Sequence, residues 1–256
     1  MEKKLFKLGL VLSGGGFRGV AHIGVLQAMQ DAGLKADVIS GVSAGALVGA
    51  CYAAGLSCEQ MLALFTKPKL FSLTHYAYKK PGLLDTDKLL LYFNEFIHQK
   101  TFEELEIPLY VCATDMSAGK LVTFSKGQLN KPVLASCAFP FVFSPVKFED
   151  SYYSDGGIIN NFPVEPLVDT CEHIIGVYVN PLTEIPERDL SSSLKVLQRA
   201  FSISTSTTPY KKFQFCDLVI EPKELADYSL FDRRNIQKIF DLGYAEGTKM
   251  LKQFEL

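Results

Sequence analysis

A serine with one glycine two residues before it and another two residues after it is the first feature of this sequence that could act in a reaction. Residues Gly41–Gly45 read G-V-S-A-G, which matches the nucleophile-elbow pattern G-x-S-x-G with Ser43 at its centre. In such an elbow the serine occupies a sharp turn between a strand and a helix, and its small neighbours let the chain pass without collision. The hydroxyl is then exposed above the positive end of the following helix. The pattern indicates a nucleophile for acyl transfer, and a tight strand–helix connection with a capping serine is the alternative.

A second glycine motif precedes the elbow. Gly14–Gly19 reads G-G-G-F-R-G and so fits G-x-G-x-x-G, but a dinucleotide site also needs an acidic residue at the end of the second strand. The nearest acid, Asp37, lies at the start of that strand, which disfavours nucleotide binding. The amides of Gly14–Gly16 can instead approach an ester carbonyl as an oxyanion hole, where each donor is worth about 3–4 kcal/mol. Arg18 would add a fixed cation for a phosphate or the oxyanion, unless it is an ordinary surface arginine.

Histidine is the usual base of a serine hydrolase, but an aspartate is the better candidate in this sequence. Each of the four histidines is better explained by a structural role than by catalysis. His22 is predicted on a helix, His98 at a helix end, His75 in an aromatic stretch and His173 before a strand. Asp155 instead precedes two glycines in S-D-G-G, an open turn that can present a carboxylate to a cleft. Because the reference pKa of a carboxyl is about 3.9, burial or hydrogen bonding must tune it as a base. In isolation the motif is more typical of a plain turn.

The elements that position these residues alternate between strands and helices at the start of the chain. The apolar run Leu8–Leu12 predicts a buried strand, and the helical spacing over Val20–Met29 predicts a helix that Gly33 ends. A second strand at residues 37–39 leads into an Ala-rich helix over Ser43–Ala54. This β–α–β–α order predicts a parallel sheet.

Later elements are less regular. The pattern predicts strands and helices in the following segments: strands at Leu109–Thr114 and Ile174–Val179, and helices at Asp85–His98, Lys131–Ala138, Ser191–Ser204 and Asn235–Lys252. The Ser- and Thr-rich segment Ser204–Tyr210 is expected to be a loop. No segment has the composition of a linker, so we expect one domain over residues 1–256.

The composition is that of an ordinary globular protein, with 48% hydrophobic residues and a formal net charge of −2. This charge gives no general attraction to nucleic acid, and no nucleic-acid partner is expected.

Six cysteines are scattered without a C-x-x-C pair, as is typical of buried, reduced thiols. Met1–Lys7 is too short and charged for a signal peptide. The apolar stretches are shorter than the about 18 residues of a spanning helix, so we expect a cytoplasmic protein.

One local segment indicates contact with a membrane. Lys67–Lys80 carries four lysines and no acid, interleaved with aromatic residues. Such a segment suits the headgroup boundary of a membrane or a lid over the site, so peripheral membrane contact is expected. A solvated loop with aromatics packed on the core is the alternative. Phe139–Phe148 is also rich in aromatic residues, and we expect it to line an acyl channel. Asp85–Asp87 is not a calcium loop, because the later ligands of such a loop are missing.

Four motifs occur in a distinctive order. They are the glycine loop at 14–19, the elbow at 41–45, A-S-C-A-F-P at 135–140 and D-G-G at 155–157. In this the chain resembles the patatin-like phospholipases, whose motifs read G-G-G-x-R/K-G, G-x-S-x-G, A-S-x-x-x-P and D-G-G/A. The matching motifs span most of residues 9–165, and the set is highly specific although each part alone is not.

The resemblance implies a three-layer α/β/α sandwich with a mainly parallel central sheet. It also implies a dyad of Ser43 and Asp155 without a catalytic histidine. The amides of Gly15 and Gly16, in the loop that begins at Gly14, would form the oxyanion hole with support from Arg18. The expected substrate is a lipid acyl ester, such as a phospholipid or lysophospholipid, hydrolysed through an acyl-serine intermediate. No metal and no other cofactor is expected.

Two alternatives to this hydrolase stay open. One is an acyltransferase or thioesterase acting through the same site. Malonyl-transferase-like folds share the glycine and serine elements but carry a histidine beside the serine, where this chain has Val42. The other is a lipid-binding regulatory protein that keeps the pocket without turnover, against which the intact Ser43 and Asp155 argue.

Overall fold

A mixed eight-stranded sheet forms the centre of the protein. The computed structural model describes residues 5–66, 82, 84 and 86–254. The strands are β1 (Phe6–Leu12), β2 (Val38–Val42), β3 (Leu109–Asp115), β4 (Lys120–Phe124), β5 (Val146–Phe148), β6 (Ser151–Asp155), β7 (Cys171–Val177) and β8 (Leu218–Ile220). Their order is β5-β6-β3-β2-β1-β7-β8, with β4 also paired to β3. The five strands β3, β2, β1, β7 and β8 are parallel to their neighbours in this series. Strands β4 and β6 pair antiparallel with β3, and β5 pairs antiparallel with β6.

Helices connect the strands and cover the sheet. Those within the described residues are α1 (Val20–Asp31), α2 (Ala44–Ala53), α3 (Cys58–Thr66), α4 (Thr86–Phe96), α5 (Asn130–Ser136), α6 (Glu165–Val168), α7 (Ser193–Lys212) and α8 (Ile236–Leu251). Short 3₁₀ turns at Gly16–Gly19 and Gly156–Ile158 follow β1 and β6. None of the helices in this part of the chain is long and apolar enough to cross a membrane.

Both faces of the sheet are buried, because side chains alternate along each strand. Leu8 and Leu10 of β1 belong to the larger core, which includes residues of α1, α2, α3 and α8. Val11 points to the other face and packs in a smaller core with Phe162 and Tyr178, beside α6. The expected three-layer α/β/α sandwich with a mainly parallel sheet is confirmed.

Two strands meet end to end along one edge of β3, and this junction positions the site. On β3, Cys112 pairs with Val42 of β2, and the next residue, Ala113, pairs with Asp155 of β6. The opposite edge of β3 is occupied by β4. Because β2 runs parallel to β3 and β6 antiparallel, their carboxyl ends face each other. Ser43, which follows Val42, therefore comes close to Asp155.

Most predicted elements are present with ends shifted by a few residues, but one prediction was wrong. Ser204–Tyr210 is not a loop, because α7 continues through it to Lys212. The hydroxyl of Thr205 donates to the carbonyl oxygen of Phe201 at 2.8 Å, so this buried polar group is satisfied within the helix. The lysine-rich segment Lys67–Lys80 lies outside the described residues.

Candidate active site

Ser43 occupies a strained turn between β2 and α2. Its backbone has φ 54° and ψ −126°, a conformation that residues other than glycine rarely adopt. The glycines on either side are required by close packing. A Cβ at Gly41 would lie 2.7 Å from the carbonyl oxygen of Gly45, and a Cβ at Gly45 would lie 2.3 Å from that of Leu12. The turn therefore has the form of a nucleophile elbow.

The hydroxyl of Ser43 is hydrogen-bonded directly to a buried carboxyl. Ser43 Oγ donates to Asp155 Oδ2 at 2.7 Å, and the backbone N–H of Gly157 donates to Asp155 Oδ1 at 2.8 Å. Asp155 is only 2% exposed. Burial raises the pKa of Asp155 to about 7, and the two hydrogen bonds oppose that rise. A carboxylate with a pKa near the working pH is well suited to accept the proton of a hydroxyl.

The A-S-C-A-F-P motif braces both residues of this pair. Ser136 Oγ accepts a hydrogen bond from the backbone N–H of Ser43 at 2.8 Å and donates one to the carbonyl oxygen of Cys112 at 2.6 Å. The carbonyl of Ala138 accepts the N–H of Asp155 at 3.1 Å. The motif was visible in the sequence, but the bracing role of Ser136 was not among the predicted site roles.

The glycine loop after β1 lies beside Ser43 with free backbone donors. Within the described part of the chain, the N–H groups of Gly14, Gly15 and Gly16 donate to no protein atom. Gly15 and Gly16 line the same cavity as Ser43, and a Cβ at Gly14 would lie 3.1 Å from the Cβ of Ser43. Gly16 has φ +56°, and a Cβ there would lie 2.3 Å from the carbonyl oxygen of Leu230. This loop is therefore open to a carbonyl oxygen that enters the cavity.

Arg18 is not among the residues that line the cavity, and its guanidinium is hydrogen-bonded to the surrounding chain. Its Nε donates to the carbonyl oxygen of Tyr228 at 2.6 Å, and Nη2 donates to that of Ala226 at 3.4 Å. Nη1 donates at 3.4 Å to Asn180 Oδ1, and Asn180 Nδ2 donates to the carbonyl oxygen of Gly14 at 3.0 Å. Burial lowers the pKa of Arg18 to about 10. The backbone N–H of Arg18 also donates to the carbonyl oxygen of Gly15 at 3.1 Å, and its side chain reaches Gly14 through Asn180, so Arg18 is placed to support the loop.

Asn161 is a site residue that the sequence prediction missed. Its Nδ2 atom is buried and, among the described residues, has no hydrogen-bond partner. A Cβ at Gly14 would lie 2.3 Å from Asn161 Oδ1, and one at Gly157 would lie 2.8 Å from it, so this amide sits between the two glycine motifs. Nothing in the local sequence distinguishes Asn161 from Asn160, which instead bonds to Glu165 at 3.0 Å.

The cavity in front of Ser43 is apolar. Its walls include aliphatic and aromatic side chains from several helices and loops: Leu47, Leu64, Phe93, Leu134, Phe139 and Phe201. Phe139 packs edge-on against Phe201 and Phe231, with ring centroids 4.7 and 5.7 Å away. Phe139 and Phe143 are the members of the predicted channel segment that reach this cavity. The arrangement presents a serine, a carboxyl and free amides at one wall of an apolar space.

None of the three described histidines lines this cavity. The ring of His22 is buried, with Nε2 2.8 Å from the carbonyl oxygen of Ser13, and burial lowers its pKa to about 4. His98 and His173 lie outside the site, and His75 is not among the described residues. Among those residues, no group of three or more His, Cys, Asp or Glu side chains could hold a metal ion.

The chain is similar in sequence to proteins of one known family. The family model for patatin-like phospholipases matches residues 10–168. An uncharacterised NTE family protein of Mycobacterium tuberculosis is 34% identical over 186 residues, which is 72% of this chain and 52% of that protein. Patatin-like phospholipase domain-containing protein 6 of Mus musculus is 32% identical over 62% of this chain, which corresponds to 12% of its own length. The chain belongs to the patatin-like phospholipase family, and it spans about half the length (52%) of the mycobacterial relative.

Solved structures share the fold at low sequence identity. VipD from Legionella pneumophila aligns with a TM-score of 0.57 and 14% identity, over 97% of this chain and 67% of that one. Human GIVD cytosolic phospholipase A2, in complex with methyl gamma-linolenyl fluorophosphonate, aligns with a TM-score of 0.55 and 12% identity, over 97% of this chain and 58% of that one. These likenesses extend the architecture beyond the segment that the family model matches.

Proposed function

We propose that this protein is a serine acyl hydrolase that cleaves fatty acyl esters of phospholipids or lysophospholipids. The observation that carries the proposal is the 2.7 Å hydrogen bond from Ser43 Oγ to Asp155 Oδ2 at the wall of an apolar cavity. Membership of the patatin-like phospholipase family supports a lipid substrate. The apolar lining suits a fatty acyl chain, because burying methylene groups there is favourable.

In the first half of the reaction, Ser43 Oγ attacks the ester carbonyl carbon while its proton passes to Asp155 Oδ2. The carbonyl electron pair moves to oxygen and forms a tetrahedral oxyanion. Collapse of this intermediate breaks the bond to the alkoxy oxygen, which takes the proton from Asp155 and leaves as an alcohol. An acyl ester of Ser43 remains.

In the second half, water replaces the alcohol. Asp155 accepts a proton from water as its oxygen attacks the acyl carbon, and a second oxyanion forms. Its collapse returns the electron pair to Ser43 Oγ, which regains the proton from Asp155. The fatty acid leaves, and both side chains are restored.

The oxyanion needs donors that are already in position, since these stabilise the charge without reorganisation. We assign this role to the free N–H groups of Gly15 and Gly16. We assign Asn161 as an additional donor, because it lines the same cavity and its Nδ2 atom has no partner in the described structure. Arg18 holds the loop through Asn180 and makes no contact with the reacting atoms in this assignment.

Labelling with a fluorophosphonate probe and hydrolysis of p-nitrophenyl esters test the dyad. Ser43→Ala should abolish labelling, and Ser43→Ala and Asp155→Asn should each lower turnover by at least about 10³-fold while circular dichroism stays native. Ser117→Ala and Asp169→Asn, at exposed positions, are the matched controls and should keep full activity. Absence of labelling and turnover in the wild type would favour a lipid-binding protein. Loss of activity in a folded variant of any one of the four histidines would favour a triad.

A further inference from the structure

Helix α7 has an apolar face that no described residue covers. On its inner side, Phe201 lines the cavity and packs against Phe139. On its outer side, Val196, Leu197 and Ile203 are 48%, 43% and 47% exposed. One helix, about 10–12 Å across, therefore separates the cavity from an exposed apolar surface.

The exposed side chains form a continuous stripe. Val196 and Ile203 are seven residues apart and Ala200, also exposed, lies between them at helical spacing, so all three share one face. Leu197 lies between this stripe and the side of the helix that carries Phe201, because residues four apart are neighbours. The stripe thus adjoins the face that reaches the cavity.

The charge on α7 is of one sign. The helix contains Lys195, Arg199, Lys211 and Lys212 and no acidic residue, in a chain whose net charge is −2. Lys212 points inward and pairs with Glu165 at 2.5 Å. Acids such as Glu187 stand in the turn before the helix begins.

Exposed cations also follow a neighbouring cavity residue. Phe231 lines the cavity, and the next positions include Arg233 and Arg234, whose side chains are exposed. The Ser229 hydroxyl donates to Gln198 Oε1 at 3.5 Å, which joins this segment to α7. An apolar stripe with basic residues around it is the pattern of a helix that lies in the interface of an anionic bilayer.

We propose that the outer face of α7, formed by Val196, Leu197, Ala200 and Ile203, docks on an anionic lipid surface. The proposal rests on the proposed function, since it explains how a lipid substrate reaches Ser43. The exposed apolar side chains enter the headgroup–acyl boundary, and the cations contact lipid phosphates. The cavity is then held one helix away from the bilayer from which an acyl chain must be taken.

Vesicle flotation tests this docking separately from catalysis. The full chain carrying Ser43→Ala should float with vesicles of equal parts phosphatidylcholine and phosphatidylglycerol, less with phosphatidylcholine alone, and less as salt is added. Adding Leu197→Asp and Ile203→Asp should lower binding by about tenfold or more, because both side chains leave the apolar boundary. The control is Leu5→Asp, at a 75% exposed leucine beside the amino end of β1, away from the carboxyl-end edge that holds the site.

Activity measurements complete the test. In the active protein, the double substitution should leave turnover of a dissolved p-nitrophenyl ester unchanged and reduce only the hydrolysis of phospholipid in vesicles. Binding of the double variant equal to that of the Leu5→Asp control would overturn the docking surface. So would a dimer, seen by gel filtration, that dissociates in the double variant while no form floats with vesicles. Loss of ester turnover in the Ser43 and Asp155 variants tests the proposed function, and its outcome is independent of flotation.

Discussion

For the single residue Asp155, the raised pKa links the proposed activity to the stability of the fold. Burial raises its pKa to about 7, so the folded protein holds this proton more tightly than the unfolded chain does. The associated stability is fully present below the unfolded pKa, near 3.8, and is lost as the pH rises through about 7. The proposed mechanism needs the ionised carboxylate, so the protonation state that would react is also the one that destabilises the fold.

We therefore expect Asp155→Asn to stabilise the protein relative to the wild type increasingly as the pH rises. The uncharged amide removes the buried charge, and the difference should grow by a few kcal/mol between about pH 5 and pH 8. Urea unfolding at several pH values measures it, with Asp169→Asn as an exposed control. In parallel, kcat/KM of the wild type should increase with pH and level off above about 7. A pH-independent stability difference would contradict the raised pKa.

The side-chain amide of Asn161 allows the proposed oxyanion hole to be tested. Because Asn161 Nδ2 has no partner among the described residues, Asn161→Ala removes no hydrogen bond from the folded protein. If the amide binds the oxyanion, kcat should fall on the order of 100-fold with little change in KM or melting temperature. Asn160→Ala should show the reverse, a loss of stability, since Asn160 bonds to Glu165 and Lys212. Full activity in Asn161→Ala would exclude a role in the transition state.

At the scale of elements, the crossing of α1 and α8 depends on glycine. A Cβ at Gly243 would lie 2.1 Å from the carbonyl oxygen of Ala21, and one at Gly24 would lie 2.2 Å from that of Phe240. The two helix backbones thus approach more closely than any side chain would allow. This contact joins the last helix to the first one.

We expect Gly243→Ala to destabilise the protein by about 2 kcal/mol, because overpacking outweighs the about 1 kcal/mol that alanine gains in a helix. Gly247→Ala is the matched control in the same helix, since its Cβ would lie 3.0 Å from the Cβ of Ala28 and needs a smaller adjustment. Denaturant unfolding of both variants measures the difference. Equal stability of the two would show that the crossing can open without cost.

At the scale of the whole molecule, one sheet extends through most of the chain, from Phe6 in β1 to Ile220 in β8. The α1–α8 contact then ties the carboxyl-terminal region to the amino-terminal one. All six cysteines are free thiols in the structure, so no disulfide adds to these links.

We expect the chain to unfold in one calorimetric transition whose van't Hoff and calorimetric enthalpies agree, as for a single cooperative domain. Because no disulfide contributes, adding a reductant should not change the melting temperature. Differential scanning calorimetry with and without reductant makes both measurements. Two separated transitions would contradict the prediction of one domain over residues 1–256.

The local parts of this protein could be predicted from the amino-acid sequence. Apolar runs and helical spacing identified β1, α1, β2 and α2, since the period of a strand or helix is set by neighbouring residues. The motifs likewise selected Ser43, Asp155 and the glycine loop as candidate site residues. The same local reasoning failed at Ser204–Tyr210, where contacts within a packed helix outweigh a composition typical of loops.

The way in which these parts meet could not be predicted locally, because it depends on contacts between distant segments. Ser43 and Asp155 are 112 residues apart, and their contact depends on the pairing of β2 and β6 with one edge of β3. The hydrogen bonds of Arg18 to residues beyond position 179 also depend on tertiary contacts. So does the difference between Asn160, which bonds to Glu165, and Asn161, whose Nδ2 has no partner among the described residues. Hydrogen bonds and burial between distant segments are set by strand register and packing, which local periodicity does not encode.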